Sequence, residues 1–209
     1  MSVQVKICGI TSIEQAQMVA RAGADAIGLV LYRKSSRYVD FEQAMAIRKS
    51  MDNSSILTVA LLVNADAHQV RHVIDHLRPD LIQFHGDEKP HFCHQFSYPF
   101  IRAVRMHDDL NISWETRRYQ PSGGFLFDAW HAGQYGGTGS RFDWRRLPVE
   151  RDYKLILAGG LNPENVADAV AQVSPDMVDV SGGVESSPGV KDEFSVIRFI
   201  ENAKKNSPS

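Results

Sequence analysis

Hydrophobic and polar positions alternate along this chain in two periods, and the period switches repeatedly. Val3, Val5 and Ile7 alternate with Gln4, Lys6 and Cys8, the two-residue period of a strand with distinct faces. Further apolar runs read as strands at 26–31, 56–63, 81–85, 100–105, 125–129, 154–158 and 177–181. Between them apolar residues recur at helical spacing, at 13–22, 41–50, 67–77, 88–96, 163–173 and 193–204. Segments 108–119 and 142–147 carry a weaker pattern and predict short or irregular helices.

Strand-then-helix units repeating about every 25 residues predict a parallel sheet, either closed or doubly wound. Eight units close a (β/α)8 barrel, although about 250 residues is more usual for that fold. An open doubly wound sheet normally carries its glycine-rich phosphate loop after the first strand. Here the first turn, Cys8-Gly9-Ile10-Thr11, lacks that pattern, and glycine pairs follow the last three strands instead. The expected architecture is therefore an α/β single-domain (β/α)8 TIM barrel over residues 1–205, with the doubly wound sheet as its alternative. Residues 206–209 read as a disordered tail.

Composition narrows the partners. The chain has 209 residues and a formal net charge of −2, which gives no electrostatic case for nucleic acid or an anionic membrane. No apolar run approaches the roughly 20 residues needed to span a bilayer, and no secretory signal is visible at the N-terminus. Two cysteines, Cys8 and Cys93, fit a reducing, cytoplasmic setting better than a disulfide.

In a barrel, chemistry gathers where strands run into the loops that follow them. Those ends hold Cys8, Arg37, Asn64, His85, Asp128, Gly159-Gly160 and Ser181-Gly182-Gly183. If the first and sixth strand ends meet, Cys8 and Asp128 look like a base and an acid. Gly159, Gly160, Ser181, Gly182 and Gly183 form two small-residue loops whose backbone amides could cradle a phosphate. Asn162 and Pro163 read as the cap and first turn of the helix that follows, so the first loop taken alone is also an ordinary turn. Gly136, Gly137 and Gly139 fit a lid over the site or a plain flexible loop. Arg37 offers a planar fork for a carboxylate or phosphate, though a lone loop arginine is often merely solvated. His85 shares a strand face with Gln83 and reads either as a substrate contact or as a satisfied core histidine. His68, His72 and His76 share a helix face that looks solvated, Cys93 looks like packing, and no metal site is expected.

The same residues carry a resemblance. Lys6-Ile7-Cys8-Gly9-Ile10-Thr11, Gly23-Ala24-Asp25-Ala26-Ile27-Gly28, Ser36-Arg37-Tyr38, Gln83-Phe84-His85-Gly86 and Phe127-Asp128 are similar, in order, to the phosphoribosylanthranilate isomerase family of tryptophan biosynthesis. The similarity continues through Gly136-Gly137-Thr138-Gly139, Phe142-Asp143-Trp144, Gly159 to Asn165 and Val178-Asp179-Val180-Ser181. It implies a cofactor-free barrel that isomerises N-(5-phosphoribosyl)anthranilate by an Amadori rearrangement. Its implied partner is a small-molecule phosphoribosyl substrate, and the chain is expected to be a monomer or weak homodimer. By the same resemblance Cys8 is the general base, Asp128 the general acid, and Arg37 the partner of the anthranilate carboxylate. The glycine loops hold the phosphate. From their own positions on the strand faces, His85 and Asp179 are expected as further substrate contacts. Gly182 departs from the family, which often has a second serine there. Another phosphosugar isomerase or epimerase barrel, or a non-catalytic phosphate-binding barrel, are the competing readings.

This chemistry sets a requirement. Burial raises the pKa of an aspartic acid, which suits an acid catalyst, but it also raises a thiol, which opposes a base. A cation near Cys8 is therefore expected, and Lys6, on the same strand face, is the first candidate. A purely structural Lys6–Asp179 ion pair is the alternative.

Overall fold

The alternating apolar runs become eight parallel strands closed on themselves. A computed structural model of the chain describes residues 2–129 and 142–205. Its strands are β1 (Gln4–Cys8), β2 (Ala26–Val30), β3 (Leu57–Leu62), β4 (Leu81–Phe84), β5 (Phe100–Met106), β6 (Gly124–Ala129), β7 (Leu155–Leu157) and β8 (Met177–Val180). Each pairs with its sequence neighbours, and β1 also pairs with β8, so the sheet closes and the doubly wound alternative falls. The helices are α1 (Ile13–Arg21), α2 (Phe41–Ser50), α3 (Ala67–His72), α4 (Pro90–His94), α5 (Ile112–Tyr119), α6 (Val166–Val173) and α7 (Glu193–Lys205). Among the described residues no helix is long and apolar enough to cross a membrane. The glycine-rich segment 136–139 and the tail 206–209 lie outside the described residues.

Alternation along each strand divides the core in two. Val3, Val5 and Ile7 pack outward among the helices with Phe125, Phe127, Val178 and Val180. Ala26, Val59, Ile101, Leu126, Ile156 and Met177 fill the barrel interior. Above them Cys8 packs with Val30, Leu61 and Val63. The inward face of β1 thus ends on a thiol at the barrel mouth.

Local chemistry fixes the element ends. Ser12, Asp40, Asp66 and Asn111 accept backbone N–H groups at the starts of α1, α2, α3 and α5. Three aspartates just before strands tie those strands to the preceding one. Asp25 accepts from the Val5 N–H at 2.8 Å, Asp80 from Thr58 at 2.7 Å and Asp176 from Leu155 at 2.8 Å.

Two local readings change. The pattern predicts a helix from residue 163, but α6 starts at Val166, because Asn162 Oδ1 accepts from the Glu164 and Asn165 amides and closes a turn first. The predicted helix at 142–147 shrinks to a 3-10 turn at Trp144–Arg146. Unforeseen is a small hairpin after β8, with β9 (Glu185–Ser187) and β10 (Val190–Lys191) antiparallel.

Candidate active site

Strand register brings Lys6 opposite Asp179 across β1 and β8. Lys6 Nζ donates to Asp179 Oδ1 at 2.8 Å, and the lysine is wholly buried. Burial pulls the Lys6 pKa down, but Asp179 and Cys8 outweigh it and hold the ammonium above its usual range. Cys8, one step above on the same face, is 6% exposed. Burial pushes its thiol up, Lys6 pulls it down, Asp179 opposes, and a second cation, Lys191, also pulls down. The net direction is upward, because burial outweighs the two cations. The space for this thiol comes from Gly28 on β2, where a Cβ would lie 2.7 Å from Sγ and 3.2 Å from Lys6 Nζ.

Asp128 lies one residue from the end of β6, separated from β1 by β7 and β8, and is 6% exposed. Its Oδ2 stands 3.4 Å from His85 Nε2. That is an approach rather than a hydrogen bond, since Nε2 has no bonded partner among the described residues. Gln83 Nε2 lies 2.8 Å from His85 Nδ1 and fixes the ring from behind. Gln83 Oε1 is also buried without a partner, and both residues line the cavity. Among the described residues, one ring nitrogen of His85 is held by Gln83 and the other has no hydrogen-bond partner.

Glycine brings the two small-residue loops into contact. A Cβ on Gly183 would stand 1.9 Å from the Leu161 carbonyl oxygen, so only glycine lets the loop after β8 lie against the loop after β7. The latter is locked by its asparagines: Asn162 N–H donates to Asn165 Oδ1, and Asn165 Nδ2 donates to the Gly160 carbonyl, both at 2.9 Å. Ser181 Oγ donates to the Cys8 carbonyl at 2.9 Å, which ties the second loop to the end of β1. Gly159, Gly160, Leu161, Asn162, Ser181, Gly182 and Gly183 form one wall of the cavity.

Arg37 forms another wall. Its Nε and Nη2 donate to the two carboxylate oxygens of Glu185, each at 2.8 Å. Lys191 Nζ donates to Glu185 Oε1 at 2.6 Å and to the Ser181 carbonyl at 3.2 Å. Burial raises the Glu185 carboxyl, but Arg37 and Lys191 outweigh it and hold the group below its usual range. Burial depresses Lys191 in turn, with Glu185 opposing. Glu185 and Lys191 are the residues that sequence reasoning missed. The signal was Pro188-Gly189 between them, a turn flanked by opposite charges.

Cys8, Arg37, His85, Asp128, Gly159, Gly160, Asp179, Ser181, Gly182 and Gly183 line one cavity of about 500 Å³, while Asn64 lies outside it, bonded to Glu88 and Asp87. That volume suits a ligand the size of a phosphorylated sugar bearing one aromatic ring. His72 and His76 do not join it. They stack beside Phe41, with ring centroids 4.3 Å (Phe41–His72) and 4.4 Å (His72–His76) apart. Cys93 is buried behind β4, with its thiol pushed up to about 12 by burial.

Residues 5–202 match the sequence family described as N-(5'phosphoribosyl)anthranilate (PRA) isomerase. An N-(5'-phosphoribosyl)anthranilate isomerase of Neisseria meningitidis is 44% identical over 205 residues, covering 98% of both chains. A crystal structure of phosphoribosyl anthranilate isomerase from Thermotoga maritima superposes with a TM-score of 0.88 at 36% identity, covering 97% of this chain and 98% of that one. A second crystal structure of such an isomerase, in complex with reduced 1-(o-carboxyphenylamino)-1-deoxyribulose 5-phosphate, gives 0.82 at 34% identity, with the same coverage.

Proposed function

The chain belongs to the N-(5'-phosphoribosyl)anthranilate isomerase family, and we propose that it performs that isomerisation with Asp128 as general acid and Cys8 as general base. The reaction converts N-(5'-phosphoribosyl)anthranilate to 1-(2-carboxyphenylamino)-1-deoxyribulose 5-phosphate in tryptophan biosynthesis. Protonated Asp128 gives its proton to the furanose ring oxygen. The C1–O bond breaks as the anilino nitrogen supplies its electron pair, which leaves a C1–N iminium. The Cys8 thiolate then takes the proton from C2, and that electron pair forms the enolamine, which tautomerises to the ketone.

The thiol starts from a raised pKa. The iminium charge that forms beside C2 joins Lys6 and Lys191 in favouring the thiolate at the step that needs it. Arg37 receives the anthranilate carboxylate, and His85 and Asp179 meet polar groups of the substrate. Backbone amides of Gly159, Gly160, Gly182 and Gly183, with Ser181, hold the phosphate. Asparagine-locked and glycine-packed loops present these amides, with Lys191 bonded behind Ser181.

The observation that carries the reading is that Cys8 and Asp128 line the same cavity as the two interlocked loops and Arg37. Turnover of fluorescent phosphoribosylanthranilate tests it. Cys8→Ser and Asp128→Asn each lower kcat by roughly 10²–10⁴-fold, the usual worth of a positioned proton transfer. Chelators leave the wild type unchanged. A wild-type chain that does not consume the substrate would sink the reading.

We also assign the chain to the cytoplasm, where a base that must ionise reversibly stays reduced; both cysteines are free thiols. Its partner is this small molecule, with neither nucleic acid nor membrane. Its exposed large apolar side chains are scattered over α2 (Met45), α5 (Trp114) and α7 (Phe194 and Ile197), which fits a monomer or weak homodimer.

A further inference from the structure

Arg37 is held by an arrangement that the isomerisation itself does not explain. The guanidinium has five N–H donors in a planar fork. Glu185 takes the Nε–Nη2 edge with two parallel bonds of 2.8 Å, and Nη1 has no acceptor among the described residues. Glu185 is itself almost fully buried, with 4% of its side chain exposed, and Lys191 behind it is at 0%. Two cations therefore share one carboxylate, and the buried cluster carries one positive charge in excess. Burying such an excess is costly unless an anion completes it.

The cluster sits on a fixed support. Thr11 Oγ1 donates to the Gly189 carbonyl at 2.7 Å and Gln15 Nε2 to the same oxygen at 3.1 Å, which pins the hairpin turn over the loop after β1. Asp192 N–H donates to the Val184 carbonyl at 2.9 Å and closes the hairpin's base. Through Lys191, the chain of bonds continues to Ser181 on the phosphate wall.

We propose that Glu185 is the positioning residue for Arg37, with Lys191 as its buried counter-ion, so that the β9–β10 hairpin sets specificity for a substrate carboxylate. Glu185 holds one edge of the fork and turns the Nη1–Nη2 end toward the cavity, where a carboxylate can dock in two-point contact. Lys191 neutralises the second half of the Glu185 charge from behind, and its own bonds to Ser181 hold it in place without Glu185. The proposal rests on the reading that this cavity binds phosphoribosylanthranilate.

The test compares a carboxylate-bearing substrate with a carboxylate-free competitor. In Glu185→Gln the KM for phosphoribosylanthranilate rises roughly ten- to hundred-fold, the worth of a charge-assisted two-point contact. Competitive inhibition by ribose 5-phosphate, which lacks the carboxylate, stays within about two-fold, because its phosphate wall is untouched. In an Arg37→Met background, Glu185→Gln adds nothing further, since the residue it positions is gone. If Glu185→Gln fails to fold, Glu185→Asp keeps the charge and withdraws the carboxylate by one methylene, with the same split expected. The proposal is overturned by an unchanged KM, by an equal loss of ribose 5-phosphate inhibition, or by a Glu185 effect that persists in full without Arg37. Each of these leaves wild-type turnover intact, whereas wild-type inactivity fails the underlying reading instead.

Discussion

Lys6 and Cys8 occupy successive inward positions of β1, and what each does depends on the other's charge. The cation is wholly buried and paired with Asp179 at 2.8 Å. A purely structural pair would leave Cys8 indifferent to it, whereas a tuning cation lowers the Cys8 pKa against burial, which raises it. The sign of a test follows. In Lys6→Met the lowering cation is gone and the Asp179 charge that opposes thiolate formation is left unpaired, so the thiol rises further. At any fixed pH the thiolate fraction falls, and alkylation by iodoacetamide slows. The rate–pH curve for Cys8 thus moves to higher pH than in the wild type, with Cys93, buried and at about 12, contributing little. A superimposable curve would make Lys6 only the structural partner of Asp179. Gly28 is the silent member of this group, since any side chain there would occupy the space of Sγ.

Elements in this barrel are joined by side chains as well as by the strand ladder. Asp25, Asp80 and Asp176 each stand just before a strand and accept an N–H from the strand before it. Asp80 reaches the amide of fully buried Thr58, so Asp80→Ala leaves that donor without its acceptor. We expect a loss of about 1–2 kcal/mol in a denaturant titration, with kcat unchanged because the clamp sits at the end opposite the site. The strands themselves were legible because outward Val3, Val5 and Ile7 and inward Lys6 and Cys8 obey a period that burial enforces. The β9–β10 hairpin was not legible. Glu185-Ser186-Ser187 and Val190-Lys191 are too short and too polar to show alternation. Their two buried charges also run against the rule that charged residues face water, and only the partners supplied by other elements make them tolerable. Asn162 does accept the Glu164 and Asn165 amides in the manner of a cap, but α6 proper begins only at Val166, a delay the sequence pattern does not show.

Closure of the whole molecule assembles a field that neither composition nor any single element reveals. The chain carries a formal charge of −2. Its barrel mouth, however, gathers Lys6 from β1, Arg37 from the loop after β2 and Lys191 from β10, against Asp179 and Glu185. Where Arg37 and Lys191 share the single carboxylate of Glu185, the mouth is locally positive inside an acidic protein. The candidate residues were readable one by one in the sequence, but this imbalance appears only once β1 and β8 pair and the hairpin folds over them. The substrate proposed for this site bears a phosphate and a carboxylate, so the field draws it inward and holds it. Added salt weakens that attraction, because the screening length falls from about 30 Å at 0.01 M to about 10 Å at 0.1 M. We therefore expect kcat/KM to fall roughly ten-fold as ionic strength rises over that range and beyond, through KM, while kcat stays level. The bound substrate is shielded by the cavity walls, and its proton transfers do not depend on bulk ions. A sodium chloride series, run beside a sucrose series of equal osmolality, separates screening from general solvent effects. A KM independent of salt would mean that local backbone amides alone capture the anion and that the positive mouth plays no part in drawing it in.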